Sequence, residues 1–256
     1  MAQFHTVVHS GMPSKELHWF YGTHTVLAAL KNPKRQIVRI VSLIPIEKSP
    51  HKDLLLLHKA IFEVRDKAWF ARIFGATAVH QGLCLQVAPL EGLDFEDLLK
   101  RGNISPVLVL DQLTDPQNIG ALLRSAVAFG VQAVLVPAHG GPELTSALCK
   151  CACGALEYIS IVSVPNLAQA LERLKKAGYW CVGLDEQGTS LLSEIPTVEK
   201  VILIVGSEGT GMRRLTRERC DFLVKLPTVA HFSTLNAAQS ATVALYELFR
   251  QEHRND

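Results

Sequence analysis

Val107-Leu108-Val109-Leu110-Asp111-Gln112-Leu113-Thr114-Asp115-Pro116-Gln117-Asn118-Ile119-Gly120 contains a strand, a polar turn and the start of a helix. Four consecutive apolar residues read as a strand buried on both faces, as in a parallel sheet covered by helices. Asn118 is a good N-cap residue for a helix predicted over Ile119 to Phe129, which Gly130 ends. Arg124 falls inside that helix among Ala121, Leu122, Leu123 and Ala126. A guanidinium on so apolar a helix needs a partner, either an ordinary carboxylate or a phosphate held by its fork.

The same rhythm continues outward. Short apolar runs recur at 107–110, 133–136, 158–164, 180–184, 201–205 and 222–226. Amphipathic stretches such as Leu167 to Lys176 lie between most of them, and Asn236 to Gln251 reads as one final helix. Strands alternating with helices predict an α/β fold with a parallel sheet. Ligands of such sheets bind beyond the carboxyl ends of the strands, which directs attention to three loops.

The loop after 201–205 is Gly206-Ser207-Glu208-Gly209-Thr210-Gly211-Met212. Its glycines let backbone amides approach a ligand closely. It lacks the lysine of a P-loop and the G-x-G-x-x-G spacing, so it points to neither a triphosphate nor a dinucleotide. Glu208 would repel a phosphate and favour a cationic or hydroxylated ligand. The loop after 222–226 runs from Pro227 to Asn236 and offers His231, Ser233, Thr234 and Asn236. A capping turn explains its hydroxyls and amide as well as a ligand site does. His231 is either a general base or a solvated loop residue.

Upstream, residues 1–17 read as a tail, 18–88 as a first block, 89–105 as a linker, and 106–256 as the main domain. The first block predicts helices over Thr25–Lys31, Leu54–Val64 and Lys67–Phe74, and strands over Ile37–Ile44 and Leu83–Val87. Phe95–Leu99 predicts a short acidic helix in the linker. The chain has 256 residues, 48% hydrophobic and 20% charged, with a net charge of +2. That balance fits a globular protein with local basic surface rather than a nucleic-acid coat. No run is long and apolar enough to suggest a membrane span, and the first ten residues carry no secretory pattern. A cytoplasmic setting with six thiols is therefore expected. The alternation Cys149, Cys151, Cys153 fits small residues packing under a neighbouring element better than a metal site, and no metal is expected.

Taken in order, these loops resemble the three motifs of the TrmH-like family of SPOUT methyltransferases. Asp115-Pro116-Gln117-Asn118-Ile119-Gly120 with Arg124 and Ala126 resembles its D-P-x-N-x-G-x-x-x-R-x-A. Gly206 to Met212 resembles its G-x-E-G-x-G turn. Leu226-Pro227 through Leu235-Asn236 keeps the spacing of the third motif, with Thr234 at the family's serine position. Tyr21-Gly22-Thr23-His24-Thr25-Val26 and His80-Gln81-Gly82 resemble the ends of the family's small L30e-like RNA-binding domain. Within the family, the chain resembles the bacterial enzymes that methylate a guanosine ribose of 23S rRNA.

The resemblance implies a knotted methyltransferase domain after an L30e-like α/β domain, a homodimer, and S-adenosylmethionine as the methyl donor to an RNA ribose 2′-OH. It implies catalytic roles for Asn118, Arg124, Glu208, Thr234 and Asn236. Cofactor contacts are expected at Gly206, Glu208, Gly209, Met212, Leu226, Pro227 and Leu235. Lys31, Lys34, Arg35 and Arg39 are candidate RNA contacts in the first block. The alternatives are the same reaction on tRNA and a silent RNA-binding protein of this fold. A nucleotide-dependent oxidoreductase lacks its glycine fingerprint here.

Overall fold

The computed structural model describes residues 17–102, 104–196, 198–229 and 235–253. In the N-terminal block, β1 (His18–Tyr21), β2 (Ile37–Ser42), β3 (Phe62–Val64) and β4 (Leu83–Val87) form one sheet in the order β1-β4-β2-β3. Helices α1 (Thr23–Lys31), α2 (Lys52–Leu56) and α3 (Lys67–Phe74) accompany it. The helix expected over Leu54–Val64 breaks after Leu56. Phe62–Val64 instead pairs in parallel with Ile40–Ser42, so strand pairing overrides the local helical pattern. The second strand stops at Ser42, whose Oγ accepts the Ile44 N–H at 3.1 Å and turns the chain.

The His80-Gln81-Gly82 turn stabilises this block. Gln81 takes φ +55°, and its Oε1 accepts the Thr23 N–H at 2.8 Å. It thereby caps α1, whose preceding residue Gly22 has no side chain to do so. The His80 ring stacks on Phe70 at 4.3 Å, beside a cluster of Trp19, Tyr21, Trp69 and Phe74.

After α4 (Phe95–Arg101), the chain builds a seven-stranded sheet. Its strands are β5 (Val107–Leu110), β6 (Ala133–Pro137), β7 (Ser160–Val164), β8 (Trp180–Leu184), β9 (Ser190–Leu191), β10 (Val201–Val205) and β11 (Phe222–Lys225). Their order is β7-β6-β5-β10-β8-β11-β9, with every neighbouring pair parallel. β9 is too short to show in the sequence pattern. The helices are α5 (Pro116–Ala128), α6 (Ser146–Cys151), α7 (Leu167–Lys176), α8 (Arg214–Glu218) and α9 (Ala237–Glu252). Alternate residues of the central strands feed two cores. Leu108, Leu110, Leu203 and Val205 meet α5 and α9, whereas Val107, Val109, Ile202 and Ile204 meet α4 and α7.

One helix start differs from expectation in a way that matters for the site. Asp115, not Asn118, caps α5, accepting the N–H groups of Gln117 at 3.2 Å and Asn118 at 3.1 Å. Pro116 then occupies the first turn, where a missing N–H costs nothing. The Asn118 side chain is released from capping. Gly120 lies where a Cβ would come within 2.4 Å of Cys151 Cβ, so α5 and α6 meet through small residues.

The two blocks share a core in which Phe20, Val26 and Ala29 join Leu148, Cys149 and Leu156. Arg35 sits at this junction. Its Nη2 lies 2.8 Å from Glu157 Oε1, and its Nη1 donates to the Ala88 carbonyl at 2.9 Å. The two charged side chains are only 4% and 1% exposed. Asn32 Nδ2 adds a bond of 2.7 Å to Glu157. Arg35 is thus a buried crosslink between the blocks, closed to RNA, which corrects its expected role. Arg39 is bound to both oxygens of Glu63 and lies over the Trp69 ring, so its charge is spoken for as well. Lys31 and Lys34 remain exposed. Among the described residues, no helix is long and apolar enough to cross a membrane.

Candidate active site

The order of strands places the loops after β5, β10 and β11 at one edge of the sheet. There Asn118, Glu208 and Asn236, far apart in sequence, form a closed triangle. Asn118 Nδ2 donates to Glu208 Oε1 at 3.0 Å, and Asn236 Nδ2 donates to the same oxygen at 2.6 Å and to Asn118 Oδ1 at 2.9 Å. The Ala237 N–H reaches Glu208 Oε1 at 3.3 Å. Asn236 also caps α9, its Oδ1 accepting the Ala238 N–H at 2.8 Å. One amide therefore serves both as cap and as crosslink, using its two ends separately.

The Gly206–Met212 turn is a tight hairpin. Ser207 and Gly211 exchange backbone bonds of 3.1 and 2.9 Å. A Cβ on Gly206 would lie 2.3 Å from Gly211 C and 2.4 Å from Met212 N, so only glycine lets the loop fold back on itself. Gly209 and Gly211 have φ +85° and +68°, a region that glycine enters freely. The glycines thus shape their own loop first.

Beside the triangle opens a cavity of about 830 Å³. Gly206, Glu208, Gly209, Met212, Leu226, Pro227 and Leu235 all line it. Leu184, Val205 and Val224 add apolar wall, and Ser207 and Thr210 add hydroxyls. Asp185 at the mouth of β8 is paired with Arg217 at 3.1 Å. Among the described residues, Glu208 Oε1 is contacted only by neutral N–H donors, and no ion pair offsets its charge beside the cavity. That polarity suits a cationic ligand.

Two family models match the chain. Residues 105–246 match the SpoU rRNA methylase family, and residues 19–93 match the RNA 2′-O ribose methyltransferase substrate-binding family. The chain belongs to the SpoU methylase family. The 23S rRNA (guanosine-2′-O-)-methyltransferase RlmB of Pseudomonas putida is 40% identical over 246 residues, covering 92% of this chain and 97% of that protein. Its namesake in Pseudomonas aeruginosa is 40% identical over 240 residues, covering 90% and 95%. The crystal structure of the SpoU methyltransferase AviRb from Streptomyces viridochromogenes with AdoMet superposes with a TM-score of 0.78 at 22% identity, covering 93% of this chain and 92% of that one. That likeness shows the common fold.

The remaining SpoU motif residues sit differently. Arg124 is exposed on α5 and has no ion pair or hydrogen bond among the described residues, so neither a carboxylate nor the triangle holds it. Thr234, with Ser233 and His231, lies outside the described residues.

Sequence reasoning missed Asp111. This carboxylate is fully buried at the end of β5, and its Oδ2 accepts the Arg213 N–H at 2.8 Å while Arg213 Nη1 lies 3.4 Å from Oδ1. It ties the first SpoU loop to the base of the glycine hairpin. A charged residue directly after four apolar ones was the available signal.

Proposed function

We propose that this SpoU-family chain transfers a methyl group from S-adenosylmethionine to the 2′-oxygen of a guanosine ribose in 23S rRNA. The observation that carries this reading is the Asn118–Glu208–Asn236 triangle on the rim of a cavity lined by all seven residues expected at the cofactor. Identity of 40% across nearly the whole chain to enzymes named for that reaction supports the substrate.

The residues present fit the cofactor. Leu184, Met212, Leu226 and Leu235 offer an apolar bed, Gly206 lines the same wall, and Glu208 supplies a negative charge that would suit a sulfonium. The cofactor, when bound, brings an activated methyl with a good leaving group. The protein then positions the hydroxyl and helps it lose its proton as it attacks. Asn118, Glu208 and Asn236 orient the hydroxyl and cofactor, and Thr234 belongs to the same set by its place in the third motif. Arg124 clamps the nucleotide's phosphate and stabilises the developing alkoxide, because a guanidinium does not surrender its own proton.

The remaining parts of this reading are a trefoil knot in the methyltransferase domain, RNA capture by an L30e-like domain over 18–88 joined through a linker at 89–105, and a cytoplasmic homodimer. Val243 and Tyr246, 48% and 53% exposed on α9 beside Phe129 of α5, give an apolar face that a second copy would cover. Lys31 and Lys34 are its RNA contacts.

Transfer of labelled methyl to unmodified 23S rRNA and to tRNA tests the reading. Label in 23S rRNA is expected. Label in tRNA alone would overturn the substrate, and no label in either RNA would overturn the activity.

A further inference from the structure

A second cavity, of about 620 Å³, is lined in part by the Arg35–Glu157 crosslink and opens between the two blocks and their connection. Its walls come from three sources. The N-terminal block gives Phe20 and the Lys31–Arg35 corner, the connection gives Pro89 to Asp94, and the C-terminal block gives Leu144 and Leu156 to Ile161. None of the motif residues above the parallel sheet reaches it.

Its chemistry is specific. The interior is apolar, with Leu90, Leu93, Leu156 and Ile159 in the wall. Tyr158 is 67% exposed at the mouth, a large ring left in water beside an apolar hollow. Lys31 and Lys34 form one lip, and neither ammonium has an ion-pair partner among the described residues. Of the nearby carboxylates, Glu157 is consumed by Arg35 and Asn32, and Asp94 caps α4. The Arg35–Glu157 and Asn32–Glu157 bonds hold that lip and Tyr158 in fixed relation, since Tyr158 directly follows Glu157. An apolar hollow, an aromatic platform and a pair of unpaired cations are what a single unstacked nucleotide requires.

We propose that this junction cavity is a second RNA-binding site that takes one unpaired nucleotide of the substrate, its base against Tyr158 and its phosphate on Lys31 and Lys34. It rests on RNA being the substrate, and it assigns to the junction a contact outside the methyl-transfer site. The pair Arg35–Glu157 acts as a positioning element, holding the two halves of this site together.

Filter binding of unmodified 23S rRNA, with methyl-transfer kinetics on the same preparations, tests it. Tyr158→Ala should weaken RNA binding about 10-fold and raise KM with kcat unchanged, and Tyr158→Phe should restore both. Lys31→Glu with Lys34→Glu should also lower the slope of log affinity against log salt, by about 1.4 for two lost phosphate contacts. S-adenosylmethionine affinity and thermal midpoint should stay at wild-type values, because all three side chains are exposed. Wild-type RNA affinity and salt slope in both the Tyr158→Ala and the lysine variants would overturn the site. A wild-type chain that binds RNA but methylates none would instead count against the proposed reaction, leaving the binding comparison to decide this site.

Discussion

Asn236 Nδ2 stands 2.6 Å from Glu208 Oε1, so the residue that caps the last helix also closes the rim of the cavity formed by the β10 loop. Three loops separated by up to 118 positions meet in this contact and its Asn118 neighbour. Because Glu208 Oε1 accepts from Asn118, Asn236 and Ala237, its removal leaves the two amides joined across the rim only to each other. Glu208→Ala is expected to lower single-turnover methyl transfer about 100-fold. Glu208→Gln keeps an acceptor oxygen and should lose less. Circular dichroism should show both variants folded.

Asn236 allows its two roles to be separated. Asn236→Ser keeps a capping oxygen but removes the amide donor, so stability in urea should stay within about 0.5 kcal/mol while activity falls with that of Glu208→Ala. Asn236→Ala should lose the cap as well, about 1 kcal/mol. Equal activity in the serine variant and the wild type would mean that capping is the whole role of this residue.

Arg124 is exposed and unpaired among the described residues, so its replacement should leave the fold intact. As a phosphate clamp, Arg124→Ala should reduce methyl transfer by about 100-fold or more, with Arg124→Lys between it and wild type. Near-normal transfer in both variants would remove the arginine from the mechanism.

Arg35 and Glu157 make a stability prediction. Their side chains are 4% and 1% exposed, so Glu157→Ala strands a buried guanidinium and should cost about 3–5 kcal/mol in denaturant unfolding. Replacing both residues with apolar ones of similar volume should recover most of that loss. A small effect in the single variant would show that water reaches the junction.

His80 carries a pH dependence. Burial, followed by the nearby positive charge of Lys150, holds its pKa below the ordinary value of 6.5. Its Nδ1 also accepts the Gly82 N–H at 3.0 Å, which requires that nitrogen unprotonated. The folded pKa lies below the unfolded one, so its stabilising contribution is complete above the unfolded pKa and is lost as pH falls toward the folded value. Thermal midpoints should therefore decline on acidification through the ordinary histidine range. His80→Asn, which keeps an acceptor, should flatten that part of the profile.

The parallel sheet was legible because its strands are continuous apolar runs: 107–110, 180–184 and 201–205 agree with the residues of β5, β8 and β10. The end of the predicted Leu54–Val64 helix was not, because Phe62–Val64 gains its conformation from a partner strand twenty-two residues earlier. Asn118, Glu208 and Asn236 stood out by residue type and order, yet their mutual contact depends on the strand order β5-β10-β8-β11, which periodicity cannot give. Asn118 looked like a cap because caps are judged by type. The structure gives that task to Asp115, three residues earlier. Arg35 looked like a surface cation because the run Lys31, Lys34, Arg35, Arg39 is charged throughout. Its burial follows from Glu157, more than a hundred residues away, and no local pattern encodes that pairing.

The most direct measurement is the identity of the modified nucleoside. Unmodified 23S rRNA incubated with the chain and S-adenosylmethionine would be digested to nucleosides and analysed by mass spectrometry. A 2′-O-methylguanosine, absent with Glu208→Ala, is the expected result. A methyl group on a base, or no methylated nucleoside from a preparation that binds both RNA and cofactor, would contradict ribose methylation at this site.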